Sequence, residues 1–101
     1  MSQALLRSLG GSRYALEGVL DFQSVAELIR PGAKMLAGTG PVDLDLGGVH
    51  EANSAGLALL LEWLDQAGRR GRSLRFYNLP QSLAHLADLA NLGDLLPLGD
   101  A

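Results

Sequence analysis

Asn53-Ser54-Ala55-Gly56-Leu57, with the apolar run that follows through Gln66, restricts this chain more than any other stretch. Ser54 stands just before a strong helical pattern, and serine is a preferred N-cap because its hydroxyl accepts from an otherwise unpaired backbone N–H. Leu57, Leu60, Leu61 and Leu64 recur at i, i+3, i+4 and i+7, and so share one apolar face. Ala67 extends that face, whereas Glu62, Asp65 and Gln66 fall away from it. At about 100° per residue, Leu59 lands almost opposite the centre of the leucine face and Trp63 on its border. A large apolar residue on the wrong side of an amphipathic helix is either covered by another element or offered to a partner. The hydroxyl at the helix start, on the neighbouring surface, favours the partner. Ser54, Ala55, Gly56, Leu59, Glu62, Trp63 and Gln66 are therefore the expected partner-binding residues.

Ser54 carries two readings. As a cap it contributes about 1 kcal/mol. As a modification site it sits at a helix N-terminus, where negative charge is favoured. A phosphate there would place about −1.5 to −2 charges on a neutral surface. Ser54 is thus also the candidate phosphoacceptor.

The surrounding pattern adds a resemblance. Asp45-Leu46-Gly47-Gly48-Val49 closes a hydrophobic strand, and Asn53-Ser54-Ala55-Gly56-Leu57-Ala58-Leu59-Leu60-Leu61 opens the helix. A strand ending in Asp-Leu, then Asp-Ser/Thr-x-Gly-Leu before an apolar helix, resembles the STAS domain of anti-sigma-factor antagonists and anion-transporter tails. The Gly-Leu-Ala-Leu-Leu-Leu segment is similar to the MlaB branch, the STAS subunits of phospholipid ABC transporters that maintain outer-membrane lipid asymmetry. Asn53 replaces the family acid, and Ala55 leaves Ser54 as the one hydroxyl at the two phosphoacceptor positions. The resemblance implies an accessory subunit that binds the transporter ATPase, which itself works with a membrane permease. The alternative it implies is an anti-sigma-factor antagonist controlled by a serine kinase at Ser54.

Length and composition agree with a binding module. A chain of 101 residues has room for one domain with one core. At 48% hydrophobic and 19% charged it is a folding sequence. The net charge of −3, without a basic stripe, argues against nucleic acid. Arg69-Arg70-Gly71-Arg72 reads as a helix C-terminus meeting its dipole, or as a corner for an acidic partner. With no cysteine, neither a disulfide framework nor a thiolate metal site is available. Met1-Ser2-Gln3-Ala4 lacks the charged and apolar regions of a signal peptide. No run reaches the roughly 20 apolar residues that span a bilayer. The expectation is a cytoplasmic protein, peripheral to the inner membrane through its partner.

In chain order, Ala4 to Leu9 and Tyr14 to Leu20 read as strands joined by a Gly10-Gly11-Ser12 hairpin. Ser24-Val25-Ala26-Glu27 has capping-box spacing and opens a helix at Ser24, with Pro31-Gly32 breaking or kinking it. Gly38-Thr39-Gly40-Pro41 is a loop, and no helix follows to make it a phosphate cradle. Val42 to Leu46 alternates as a strand, which puts Asp43 and Asp45 on one face. Such a pair serves acid–base or metal chemistry, or else one carboxylate sits at the strand mouth and one faces solvent. Ser73 to Tyr77 is a further strand, and Pro80 opens a last helix with Leu83, Leu86, Ala87 and Ala90 inward and Gly93 as its stop. The tail from Asp94 to Ala101 packs down for part of its length.

His50 and His85 have no ligand spacing, so no metal site is expected. His50 four residues before Ser54 suggests a nucleophile and base, but no third member or oxyanion donor set accompanies them. The sequence therefore points away from an enzyme, and no cofactor is implied. The order strand, strand, helix, strand, helix, strand, helix gives one α/β domain over residues 1–101. It is a STAS-like mixed sheet of about four strands with helices packed largely on one face.

Overall fold

Gly10 and Gly11, both at positive φ, turn the chain sharply between β1 (Ala4–Gly10) and β2 (Arg13–Leu20). Left-handed backbone is accessible to glycine at no steric cost, which is what this hairpin requires. The computed structural model describes residues 4–99; Met1-Ser2-Gln3 and the last two residues of the tail lie outside them. After the hairpin come α1 (Phe22–Leu36), β3 (Val42–Ala52), α2 (Ser54–Arg69), β4 (Leu74–Tyr77) and α3 (Gln81–Leu89). The sheet order is β1-β2-β3-β4, with β1 antiparallel to β2 and the other neighbours parallel. This is the mixed four-stranded sheet that the element order implied.

Both crossover helices start earlier than the sequence suggested, α1 by three residues and α2 by one. Asp21, not Ser24, caps α1: its carboxylate accepts from the Ser24 N–H at 2.9 Å, while the Ser24 hydroxyl accepts from the Asp21 N–H at 3.0 Å. Ser24 also donates to the Val19 carbonyl at 2.7 Å and is buried. The capping box is real but shifted by one turn, with serine at its inner position. Pro31 does not break α1 either. The N–H it lacks would serve the carbonyl of Glu27, on an exposed side of the helix where water can substitute. Gly32, one residue on, faces the indole of Trp63, which a Cβ would strike.

β3 runs well past Leu46, to Ala52. Its register with β2 slips between Ala15 and Glu17 and again between Gly18 and Val19, so β3 carries two extra residues. Such bulges bend a strand and re-aim its end. The bent end delivers Asn53 beside Leu20, to whose carbonyl the Asn53 N–H donates at 3.0 Å. At the other edge, α3 ends at Leu89, with Ala90 as its C-cap and the left-handed Asn91 (φ +61°) just beyond, so the stop comes before Gly93. The tail then returns: Leu96 is buried, and the Phe76 N–H donates to the Pro97 carbonyl at 2.9 Å.

The core lies between the sheet and the helices, with Leu16, Leu44, Leu46 and Phe76 below and Leu60, Trp63 and Leu83 above. One buried charge holds it shut. Arg72 is 8% exposed, and its guanidinium donates to the carbonyls of Met35 (2.8 Å), Gly40 (2.9 Å) and Thr39 (3.1 Å). It thereby closes the α1 C-terminus and the 38–41 loop, where the negative end of the helix dipole welcomes a cation. Of the three clustered arginines, only Arg72 has this role; Arg69 pairs with Asp65 in solvent. Arg72→Ala strips a charged donor set from three carbonyls and should cost about 2–3 kcal/mol in urea unfolding. Arg72→Lys should recover only part, because an ammonium lacks the planar fork.

Candidate protein-docking site

The start of α2 is built from small residues because the helix must come close to the sheet. A Cβ on Gly56 would stand 2.9 Å from Leu20 Cβ and 3.3 Å from Ala52 Cβ. Asn53 caps the helix, its side-chain carbonyl accepting from the Ala55 N–H at 2.9 Å. The cap expected at Ser54 therefore belongs to Asn53, and Ser54 is the first helical residue. Its hydroxyl is exposed and has no hydrogen-bond partner among the described residues.

The phase of α2 corrects the sequence reading. The buried residues are Ala55, Gly56, Leu57, Leu59, Leu60, Trp63 and Ala67. Leu59 is 2% exposed and Trp63 1%, while Leu61 and Leu64 are half-buried. The core side is thus centred near Gly56, Leu60, Trp63 and Ala67, a quarter turn from the leucine stripe. The reason is that α2 lies between α1 and α3 over the sheet, so more than one face of it is covered. Leu59, Trp63, Ala55 and Gly56 are packing residues rather than surface. Ser54 and Glu62 are exposed, and Gln66, half-buried, donates to Glu62 at 2.9 Å. The outward stripe is Ser54, Ala58, Glu62, Asp65 and Arg69.

A neighbouring stripe on α1 was missed. Phe22 is 75% exposed and Ile29 50%, and their i, i+7 spacing puts them on one side of the helix. A hollow of about 230 Å³ opens between the ends of β2 and β3, lined by Leu20, Asp21, Glu51, Ala52 and Asn53 among others, and Phe22 follows its lining residue Asp21 in the chain. Phe22 was legible only as the apolar residue before a helix, because its exposure depends on where α2 and the sheet end.

The uncovered sheet face holds the two aspartates. A groove of about 470 Å³ there is lined by Arg13, Asp43, Asp45, Tyr77 and Asn78, with Leu9 and Tyr14. The Asn78 amide donates to Asp45 at 3.0 Å and the Gly47 N–H at 2.8 Å. These bonds, the Asn78 one first, hold the Asp45 carboxyl below its ordinary value, with Arg13 adding a smaller pull. A carboxylate so satisfied is poorly suited to carry protons near neutrality. His50 and His85 are exposed, and no group of three potential metal ligands occurs among the described residues.

The family model described as "Mlab, STAS domain" matches residues 6–97. The chain belongs to the STAS domain family. Among solved structures, this STAS domain is similar to an anti-sigma factor antagonist from Mycobacterium paratuberculosis (TM-score 0.78, 19% identity, covering 97% of this chain and 85% of that one). It is also similar to a putative anti-sigma factor antagonist from Thermotoga maritima (TM-score 0.77, 15% identity, 97% and 86%). The unphosphorylated anti-sigma factor antagonist SpoIIAA follows the same fold (TM-score 0.72, 12% identity, 96% and 88%). No curated protein sequence matches the chain. No helix among the described residues of this STAS domain is long and apolar enough to cross a membrane.

Two outcomes test this geometry. Leu59→Ala should destabilise the domain by about 2–5 kcal/mol, as a buried leucine does, and Leu59→Arg by at least as much. Asp45 has its folded pKa below its unfolded one, so its stabilisation is present above about pH 4 and lost as pH falls through the folded value. Asp45→Asn should therefore show a shallower fall in urea midpoint with acid than the unsubstituted chain.

Proposed function

We propose that this STAS domain is a non-enzymatic accessory subunit that docks on the cytoplasmic ATPase of a phospholipid ABC transporter of the Mla type. There it supports assembly and activity, and through them outer-membrane lipid asymmetry. The transporter branch is supported by the family description and by the Gly56-Leu57-Ala58-Leu59-Leu60-Leu61 segment. Docking rests above all on Phe22, three-quarters exposed at the start of α1, one residue after the Asp21 edge of a hollow that Asn53, the cap of α2, also lines. An exposed aromatic at the edge of a shallow hollow is the pattern of an interface anchor. Ser54, Ala58 and Glu62 would complete the surface, with the ATPase holding the domain peripheral to the inner membrane.

A second reading has its own support. The Ser54 hydroxyl is exposed and unpartnered at the positive end of α2, and the similar solved structures are anti-sigma factor antagonists. Under that reading a kinase would phosphorylate Ser54 and release the partner.

Calorimetry against the purified ATPase separates the two. Phe22→Ala should weaken binding by about 2 kcal/mol, roughly thirtyfold, with the thermal midpoint nearly unchanged. Ser54→Asp should bind worse still, because an unpaired desolvated charge costs several kcal/mol. The same charge gains roughly 0.3–1 kcal/mol from the helix N-terminus, so the isolated domain stays folded. Ser54→Ala should keep most of the affinity. Undiminished binding by both Phe22→Ala and Ser54→Asp would remove this surface from the interface. Stoichiometric phosphate on Ser54 in the native cell, with loss of the partner, would favour the second reading.

A further inference from the structure

The groove of about 470 Å³ on the open face of the sheet takes no part in the docking surface. Its volume falls in the range of small-molecule sites, roughly 300–1,000 Å³. The chain itself holds the walls in place. Asp45 is fixed by the Asn78 amide and the Gly47 N–H. The Tyr77 ring lies against Gly99 of the returning tail, where a Cβ would strike it. That tail is kept along β4 by two hydrogen bonds of 2.9 Å, from the Phe76 N–H to the Pro97 carbonyl and from the Gly99 N–H to the Phe76 carbonyl.

Two opposite charges between these walls are unmet. Arg13, exposed, and Asp43, half-buried, both line the groove and are register partners on β2 and β3. Among the described residues neither side chain has an ion pair or a hydrogen bond. A carboxylate taken partly out of water without a donor calls for one. A ligand with only negative charge would meet Asp43 and Asp45, and one with only positive charge would meet Arg13. The ligand that answers both residues carries both signs. Neighbouring strands lie about 4.8 Å apart, so its two charges must be close together. The ammonium and carboxylate of an α-amino acid share one carbon, and a guanidinium takes a carboxylate bidentately. Leu9, 45% exposed, and the lining residues Tyr14 and Tyr77 offer apolar surface to the rest of the molecule. We propose that this groove binds a free α-amino acid with an aromatic or apolar side chain, its carboxylate on Arg13 and its ammonium on Asp43. Asp43 and Asp45 alternate with the core residues Val42, Leu44 and Leu46, so the site lies across the sheet from the helices. It stands whether or not the ATPase reading does.

Calorimetric titration of the full chain with L-phenylalanine and with L-leucine provides the test. Saturable binding at one site per chain is expected for at least one of them. For phenylalanine, the analogues 3-phenylpropionate, without the ammonium, and phenethylamine, without the carboxylate, should each bind roughly tenfold more weakly or worse. Asp43→Asn and Arg13→Gln should each weaken amino-acid binding by a similar factor. The thermal midpoint of the ligand-free chain should hardly move, since neither side chain has a partner to lose. Arg13 is exposed, so Arg13→Gln decides the matter if Asp43→Asn does not fold. Phe22→Ala, on the helix side, should bind as the unsubstituted chain does. No binding of either amino acid at millimolar concentration overturns the proposal. So does affinity that survives Arg13→Gln, or a one-charge analogue that binds as well as phenylalanine.

Discussion

The contact between Trp63 and Gly32 fixes the helix layer. The indole is almost wholly buried, and it lies where α1 has no side chain to oppose it. Gly56 makes the matching approach below, bringing α2 onto Leu20 and Ala52. With an indole wedged on one side and no Cβ on the other, the rotation of α2 about its axis is set. That rotation decides which residues the domain can show. Leu59 turns inward, and Ser54, Ala58 and Glu62 turn outward.

The polar counterpart of this packing is Arg72. A buried guanidinium is tolerable only when its donors are used, and here three carbonyls from the end of α1 and the loop after it take them. The two ends of the crossover layer are thus fastened differently. The carboxyl end of α1 is tied by a long side chain reaching from beyond α2, and the amino ends of α1 and α2 by short local caps.

Those caps differ in charge, and the difference bears on function. Asp21 brings a carboxylate to the positive end of α1, whereas Asn53 brings a neutral amide to α2. The dipole of α2 is left without an acidic residue in its first turn, beside an exposed hydroxyl. Such a helix start tolerates a close neutral contact and also tolerates a phosphate. A protein-docking role and a phosphorylation switch therefore make similar demands on Ser54, and Phe22 is the residue that weighs toward docking. On the polar face of the sheet, Arg7 pairs with Glu17, and Asp45 accepts from the Asn78 amide.

The local patterns alone determined the hairpin at Gly10-Gly11, the alternation of Val42 to Leu46, the helix after Gly56, and the strand–helix order that implies a mixed sheet. The Asn53-to-Leu57 motif also pointed to the family, because the hydroxyl of Ser54 and the small residue Gly56 stand close together in the sequence. Three things escaped that reading. A capping box fits Asp21-to-Ser24 as well as Ser24-to-Glu27, and only the end of β2 chooses between them. A helical wheel drawn from the leucines assumes one buried face, but α1 and α3 flank α2, so Leu59, placed opposite that face, and Trp63, placed on its border, both lie inward. Arg72 resembles its neighbours Arg69 and Arg70 in sequence, and becomes a structural cap only because the fold brings the carbonyls of residues 35, 39 and 40 around it. Periodicity and caps are properties of adjacent residues and are written in the chain. Exposure depends on contacts between residues far apart in sequence, so tertiary packing decided which side of α2 and which residue of α1 face outward.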